Sequence, residues 1–451
     1  MHGDFTNLRK HVPVSLYQVH ALLDRMWDLS DYVIAVRDPA DAHVPLRPLS
    51  HQQFWTMRRE SIPFGLARQC LQFGNLNIDH PFQDAFLRIT GVSIDDFLDL
   101  SGDMFLQTMK GVPVENRQAI FAHLLATYGQ EVVVKYMNFL SKNIYDVAAW
   151  LRNREGDMPK QHRSVISEYF QLSPFSCFPL LELNGGYVVI SPILLHYTLS
   201  TFVYDTLRAN DKDSFTTEFG GFFETYLLDS LESTKTVFVG EEKLLAHIEG
   251  ELNQMVVDAV AVENECNIYI EAKGVDMRWD GLVTQNPGTI SKHTKRSIRK
   301  AVRQAYSLAD RVQNGATVGD IELGNSENFL LVVTFKDFYL GNGDEYRKHI
   351  AKDAMNRLLA DYGGTEIIPL KNIFFVSVDD LDLILGAVAN GTWTLSELLR
   401  AAVTRGTTLG GYPVFRQLVL ERDDTIRKTP LMQRAHDLMF QRLKARYLES
   451  S

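Results

Sequence analysis

At roughly 100–200 residues per domain, a chain of 451 residues has length for two to four domains, so one catalytic module need not account for all of it. Hydrophobic residues make up 45%, charged residues 23% and aromatics 11%, which is ordinary globular usage and excludes a disordered, collagen-like or coiled-coil chain. The 46 Lys and Arg against 56 Asp and Glu leave a net charge of −10, which excludes adhesion to nucleic acid or anionic lipid through overall charge; any such contact must come from a local patch.

Residues 1–165 show mostly helical spacing, as in the apolar positions of QAIFAHLLATYGQEVVVKYMNFLSKNIYDVAAWL, and carry no motif for chemistry. The first residues include Asp4 and no continuous apolar stretch, unlike a signal peptide. Phe54, Trp55, Phe64 and Phe73 could stack on bases, but core packing is the better expectation. Cys70, Cys177 and Cys266 are odd in number and far apart, with neither a CxxC pair nor zinc-like spacing, which points to a reducing cytoplasm. The charge-free stretch 183–204 has membrane-span length but contains a Gly-Gly pair, Pro192 and His196. It reads instead as a hairpin turning at Asn184-Gly185-Gly186 followed by a helix, a linking segment over 166–211, and no membrane partner is expected.

From 212 to 405 the texture alternates. A helix (SFTTEFGGFFETYLLDSLE) precedes short β-rich runs (TVFVG, QMVVDAVAV, NIYIEAKG). A basic helix over 290–313, a strand (FLLVVTF), a helix near 345–361 and a strand (IFFVSV) come after them. This pattern predicts an α/β unit, a central mixed sheet flanked by helices, with a helical tail over 406–451.

The chemistry-bearing residues lie in QMVVDAVAVENECNIYIEAKG, positions 254–274, where Val- and Ile-rich runs flank the polar centre Glu263-Asn264-Glu265. If Asp258 pairs with Glu271, the midpoint falls between Asn264 and Glu265, leaving a two-residue turn. The carboxylates then become cross-strand neighbours, and Lys273 projects from the same face because strand side chains alternate with period two. Two carboxylates this close repel unless a proton or cation sits between them, and such oxygen-rich sites suit Mg²⁺ or Mn²⁺. E-x-K triplets also arise by chance. Glu241-Glu242-Lys243 is another, with Asp229 upstream, but Asp229 sits in a helical pattern, so Glu241 is expected to lie outside the site and to tolerate replacement by Ala.

The arrangement resembles the PD-(D/E)xK nuclease superfamily over about residues 212–380. The resemblance implies a restriction-endonuclease-like core in which Asp258 is the strand aspartate, Glu271-Ala272-Lys273 the E-x-K, and Glu224, in Gly220-Gly221-Phe222-Phe223-Glu224, the helix glutamate, with Glu218 as competitor. Val257 stands where the superfamily's name has proline. The resemblance also implies metal-dependent hydrolysis of phosphodiester bonds, DNA favoured, in a prokaryotic defence or restriction role. Asp258, Glu271 and Glu224 would hold the metal, Lys273 would act on the water, and Gln304 would assist from the next helix. Removing Asp258, Glu271 or Lys273 is expected to abolish cleavage and spare the fold. The rival reading is a catalytically silent nuclease-like scaffold, and a homodimer is left open.

Beyond the hairpin, residues 281–309 carry no acid and six cations: Lys292, Lys295, Arg296, Arg299, Lys300 and Arg303. On one helix they would oppose the apolar side Ile298, Ala301, Val302, Ala305, Leu308 and Val312 and meet nucleic-acid phosphates. His293, among them, reads as a solvated helix-end histidine. No Walker P-loop, HExxH or nucleophile elbow supports another hydrolase class.

Overall fold

A computed structural model describes residues 62–109 except 75 and 78, 117–157, 173–247 except 184 and 185, 255–313, 323, 327–408 and 415–449 except 424 and 426, with 18, 21, 44 and 46–51. It is a mixed α/β structure, mostly helical, with two small mixed sheets.

The N-terminal helices are α1 (Ile62–Phe73), α2 (Pro81–Thr90), α3 (Ile94–Met109), α4 (Arg117–Tyr128), α5 (Gln130–Leu140) and α6 (Ile144–Asp157). The long periodic run is therefore interrupted. Gly129, at φ 81°, separates α4 from α5, and β1 (Ser141–Asn143) separates α5 from α6, where the Asn143 carboxamide oxygen accepts from the backbone N–H groups of Tyr145 and Asp146. Phe64 and Phe73 are buried, as core packing requires, while Phe54 and Trp55 lie outside the described residues. Next come β2 (Leu180–Leu183) and β3 (Gly186–Val189), antiparallel with Leu183 opposite Gly186, and β2 also pairs in parallel with β1. Helix α7 (Pro192–Asn210), capped by Ser191, buries His196, Thr198 and Ser200 among its apolar residues, and no helix among the described residues is long and apolar enough to cross a membrane.

Helix α8 (Lys212–Ser233) leads into β4 (Phe238–Gly240), α9 (Glu241–His247), β5 (Ala259–Glu263) and β6 (Cys266–Lys273). The short helix α10 (Trp279–Leu282), α11 (Pro287–His293) and α12 (Ile298–Gln313) precede β7 (Glu327–Thr334), then α13 (Gly343–His349), α14 (Lys352–Asp361) and β8 (Ile373–Ser377). The basic stretch is thus two helices and not one, because Thr294–Ser297 turn between α11 and α12, and the helix near 345–361 is likewise two. The five-stranded sheet runs β4-β5-β6-β7-β8, antiparallel across the first three strands and parallel from β6 to β8.

Side-chain alternation gives the sheet two buried faces. Ala259, Ala261, Ile268, Ile270, Leu331, Val333 and Val376 face α7, α8 and the helix that follows β8, α15 (Val378–Ala389). Val260, Tyr269, Leu330, Val332 and Phe375 face α12, α13 and α14. The apolar side of α12 (Ile298, Ala301, Val302, Ala305, Leu308 and Val312) is buried there, as its spacing predicts. The chain closes with α16 (Leu395–Thr408), α17 (Phe415–Arg422) and α18 (Pro430–Glu449). The last of these docks back on the N-terminal helices through Arg442 and Arg446, which pair with Asp95, Asp96 and Asp99 of α3.

A buried network fixes α8 against its neighbours. Tyr226 donates to Asp382 Oδ1 at 2.5 Å, and Arg68 reaches Asp382 Oδ2 at 2.6 Å and Asp379 Oδ1 at 2.7 Å. Removing one member of such a buried pair costs about 3–5 kcal/mol, so α8, which carries Glu224, is held firmly. None of the three cysteines is in a disulfide; Cys70 and Cys266 are buried and Cys177 is exposed.

Candidate metal centre

The hairpin has the predicted register: Ala259 faces Ile270 and Glu263 faces Cys266, which continues to Asp258 opposite Glu271. Asn264 and Glu265 make the two-residue turn with φ of 47° and 60°, the left-handed pair that a tight hairpin matched to strand twist requires. Asp258 lies just before β5, and at this end of the ladder carboxylates serve as backbone partners. Asp258 N–H donates to Glu271 Oε2 at 3.2 Å, and Ala272 N–H donates to Asp258 Oδ2 at 2.5 Å. Asp258, Glu271 and Lys273 share the sheet face that looks toward α12.

Glu271 is fully buried and ion-paired with Lys273, whose side chain keeps 17% exposure and whose ammonium lies 3.4 Å from Gln304 Oε1. The Gln304 amide also donates to the Val256 carbonyl at 2.8 Å. Gln304 is therefore buried on α12, bridging the segment before Asp258 to Lys273, and not a surface residue.

Glu224 arrives from the other side of the sheet. Gly274, just past Lys273, lets α8 approach closely: a Cβ there would sit 3.0 Å from Phe219 Cδ1 and 3.2 Å from Phe223 Cβ. Nothing lies within 4 Å of a Cβ placed at Gly220 or Gly221, so bare helix surface remains one turn before Glu224. The competitor Glu218 lies elsewhere, 3.2 Å from His80 Nε2.

Glu241, expected outside the site, lies beside Asp258. It follows β4 directly, its N–H donates to the Asp258 carbonyl at 2.9 Å, and one carboxylate oxygen each from Glu224, Glu241 and Asp258 lie within 4.8 Å of one another. The three acids converge from three elements. Among the expected ligands Glu271 is not in this cluster, since its oxygens are taken by Lys273 and the Asp258 N–H. Of the acids in Glu241-Glu242-Lys243, Glu241 lies in this cluster. The missing signal was the pairing of β4 with β5, which no local pattern reveals.

Burial makes these acids reluctant to ionise. It raises the proton affinity of Asp258, with the Glu271 charge adding to it, and raises that of Glu271 against the opposing Lys273. Burial and then Glu241 shift Glu224 upward. Such a set wants a proton or a cation. Glu224, Glu241 and Asp258, with one oxygen of each within 4.8 Å of the others, are the residues that would hold a divalent cation, drawing closer together to do so.

The raised proton affinities predict a pH-dependent stability. A carboxyl whose folded-state pKa is raised contributes stability in full below its unfolded-state value and loses it as pH rises through the folded-state value. In EDTA the melting temperature should therefore fall from pH 6 to pH 8, and Asp258→Asn, which keeps an acceptor for Ala272 N–H, should flatten that fall. An unchanged slope in scanning calorimetry would argue against a strained Asp258.

Of the six predicted phosphate-binding cations, Lys292 ends α11, Lys295 and Arg296 occupy the turn, and Arg299, Lys300 and Arg303 lie on α12. All are exposed except the half-buried Arg299, which donates to the Ser291 carbonyl at 3.0 Å. His293 is not a freely solvated residue, since its Nε2 lies 3.3 Å from Asp280 Oδ2.

The chain matches no family model, no curated protein and no solved structure.

Proposed function

We propose that the chain is a metal-dependent nuclease with a restriction-endonuclease-like core of the PD-(D/E)xK kind. The observation that carries this reading is the convergence of Glu224, Glu241 and Asp258 beside the Glu271–Lys273 pair at one end of the mixed sheet. The order of elements supports it: α8 with its glutamate, the antiparallel β4-β5-β6, the helix α12 and the parallel β7.

Glu224, Glu241 and Asp258 would hold Mg²⁺ or Mn²⁺. An ion there would lower the pKa of a water and offset charge building on the phosphoryl oxygens. Glu271 and Gln304 orient the Lys273 ammonium toward the acids. From there it can hold the attacking water or stabilise a phosphoryl oxygen as the phosphorus–oxygen bond breaks. DNA is the favoured substrate, and prokaryotic defence is the role that the analogy suggests.

Incubating the protein with plasmid, linear DNA and RNA, each with Mg²⁺ and with EDTA, tests the reading. Cleavage only with Mg²⁺ is expected, and none under any condition would favour a silent scaffold. The exposed cations predict sequence-independent binding. Replacing Arg296 and Arg303 with Ala should weaken all sequences about equally and reduce the slope of log affinity against log salt by about 1.4–1.8, at 0.7–0.9 per lost phosphate contact. An unchanged slope in binding titrations would make those residues a solvated face.

A further inference from the structure

A groove of about 540 Å³ lies between α12 and α14. Lys295, Arg299, Lys300 and Arg303 line one wall, and Arg357 of α14 lines the other, with Asp361 as the one acid. Met255, Met355 and Leu358 contribute an apolar floor. Lys295, Lys300, Arg303 and Arg357 are exposed, and none is held in an ion pair among the described residues. Unpaired cations facing each other across a cleft repel, and a polyanion between them removes that repulsion.

We infer that this groove holds one strand of nucleic acid, with its phosphates between Arg357 and the Lys300–Arg303 wall, and delivers it to the acidic cluster. Chemistry argues for a single strand. The apolar floor of Met255, Met355 and Leu358 suits unpaired bases, which a duplex keeps stacked inside, and the cations lining the groove suit the backbone. Continuity with the site runs through Gln304. Its neighbour Arg303 lines the groove, its side chain bonds the carbonyl of Val256 next to the groove residue Met255, and its oxygen faces Lys273.

That the bound strand is also the substrate rests on the nuclease reading; the groove itself does not. The test is therefore binding by the full chain in EDTA, read by fluorescence anisotropy of a labelled oligonucleotide, single-stranded and as duplex, at several salt concentrations. For the single strand, Arg357→Ala should lower the salt slope by about 0.7 and weaken affinity about fivefold at 0.1 M salt. Arg88→Ala, an exposed cation on α2, should change neither. The duplex should bind more weakly and be insensitive to Arg357→Ala. Wild-type behaviour of Arg357→Ala on the single strand, an equal loss on the duplex, or displacement of the strand by tripolyphosphate at equal phosphate concentration would each overturn the assignment. Loss of binding in Arg357→Ala without any Mg²⁺-dependent cleavage by the wild type would remove the nuclease reading and leave the groove standing.

Discussion

Lys273→Ala should reduce Mg²⁺-dependent cleavage by on the order of 10²–10³, the usual cost of removing a group that stabilises transition-state charge. Among the described residues its ammonium is the cation that pairs with the buried Glu271, and Glu271 and Gln304 hold it in place. The fold will not be wholly indifferent, which amends the expectation from sequence. Lys273→Ala leaves Glu271 buried without its counter-charge, and burial already raises that carboxyl's proton affinity. Stability then declines as pH rises through the raised folded-state value, so the variant should melt closer to wild type at pH 5 than at pH 8. Glu271→Ala should be as inactive and free of that pH penalty. Normal cleavage by Lys273→Ala in a gel assay would remove the residue from the mechanism.

The acids give the second large effect. Glu224→Gln and Glu241→Gln should each lower the cleavage rate by about a hundredfold or more, since each would remove a charge from the proposed three-carboxylate metal site. Glu218→Gln should be close to wild type, because it gives up only a partly exposed pair with His80, worth at most about 1 kcal/mol. Cleavage rates for the three variants at saturating Mg²⁺ decide the matter. A dead Glu218→Gln with an active Glu224→Gln would transfer the role, and an active Glu241→Gln would put Glu241 back outside the site.

The features legible in the sequence were those that depend on near neighbours along the chain. The hairpin register comes from the polar centre at Glu263-Asn264-Glu265, and that register alone places Asp258 against Glu271 and Lys273 beside it. The buried side of α12 comes from a period of 3.6, and Glu224 rather than Glu218 follows from the Gly220-Gly221-Phe222-Phe223 context on which the resemblance rests. Long-range pairing was invisible. Glu241 reaches the cluster because β4 is the edge strand on β5, and Arg357 becomes the second wall of the groove because α14 lines it opposite α12. Helix continuity was overestimated at 290–313, where the buried Thr294 hydroxyl, hydrogen-bonded to Tyr346 at 2.6 Å, sits in the turn between two helices.

The most direct measurement is a calorimetric titration of Mn²⁺ into the wild type and into Asp258→Asn, both shown by melting to be folded. The account predicts that the wild type takes up the ion at one site and that Asp258→Asn binds it at least about tenfold more weakly, since one of three carboxylate ligands has lost its charge. Equal binding by the two proteins, or none by either, would contradict the assignment of Glu224, Glu241 and Asp258 as a metal centre.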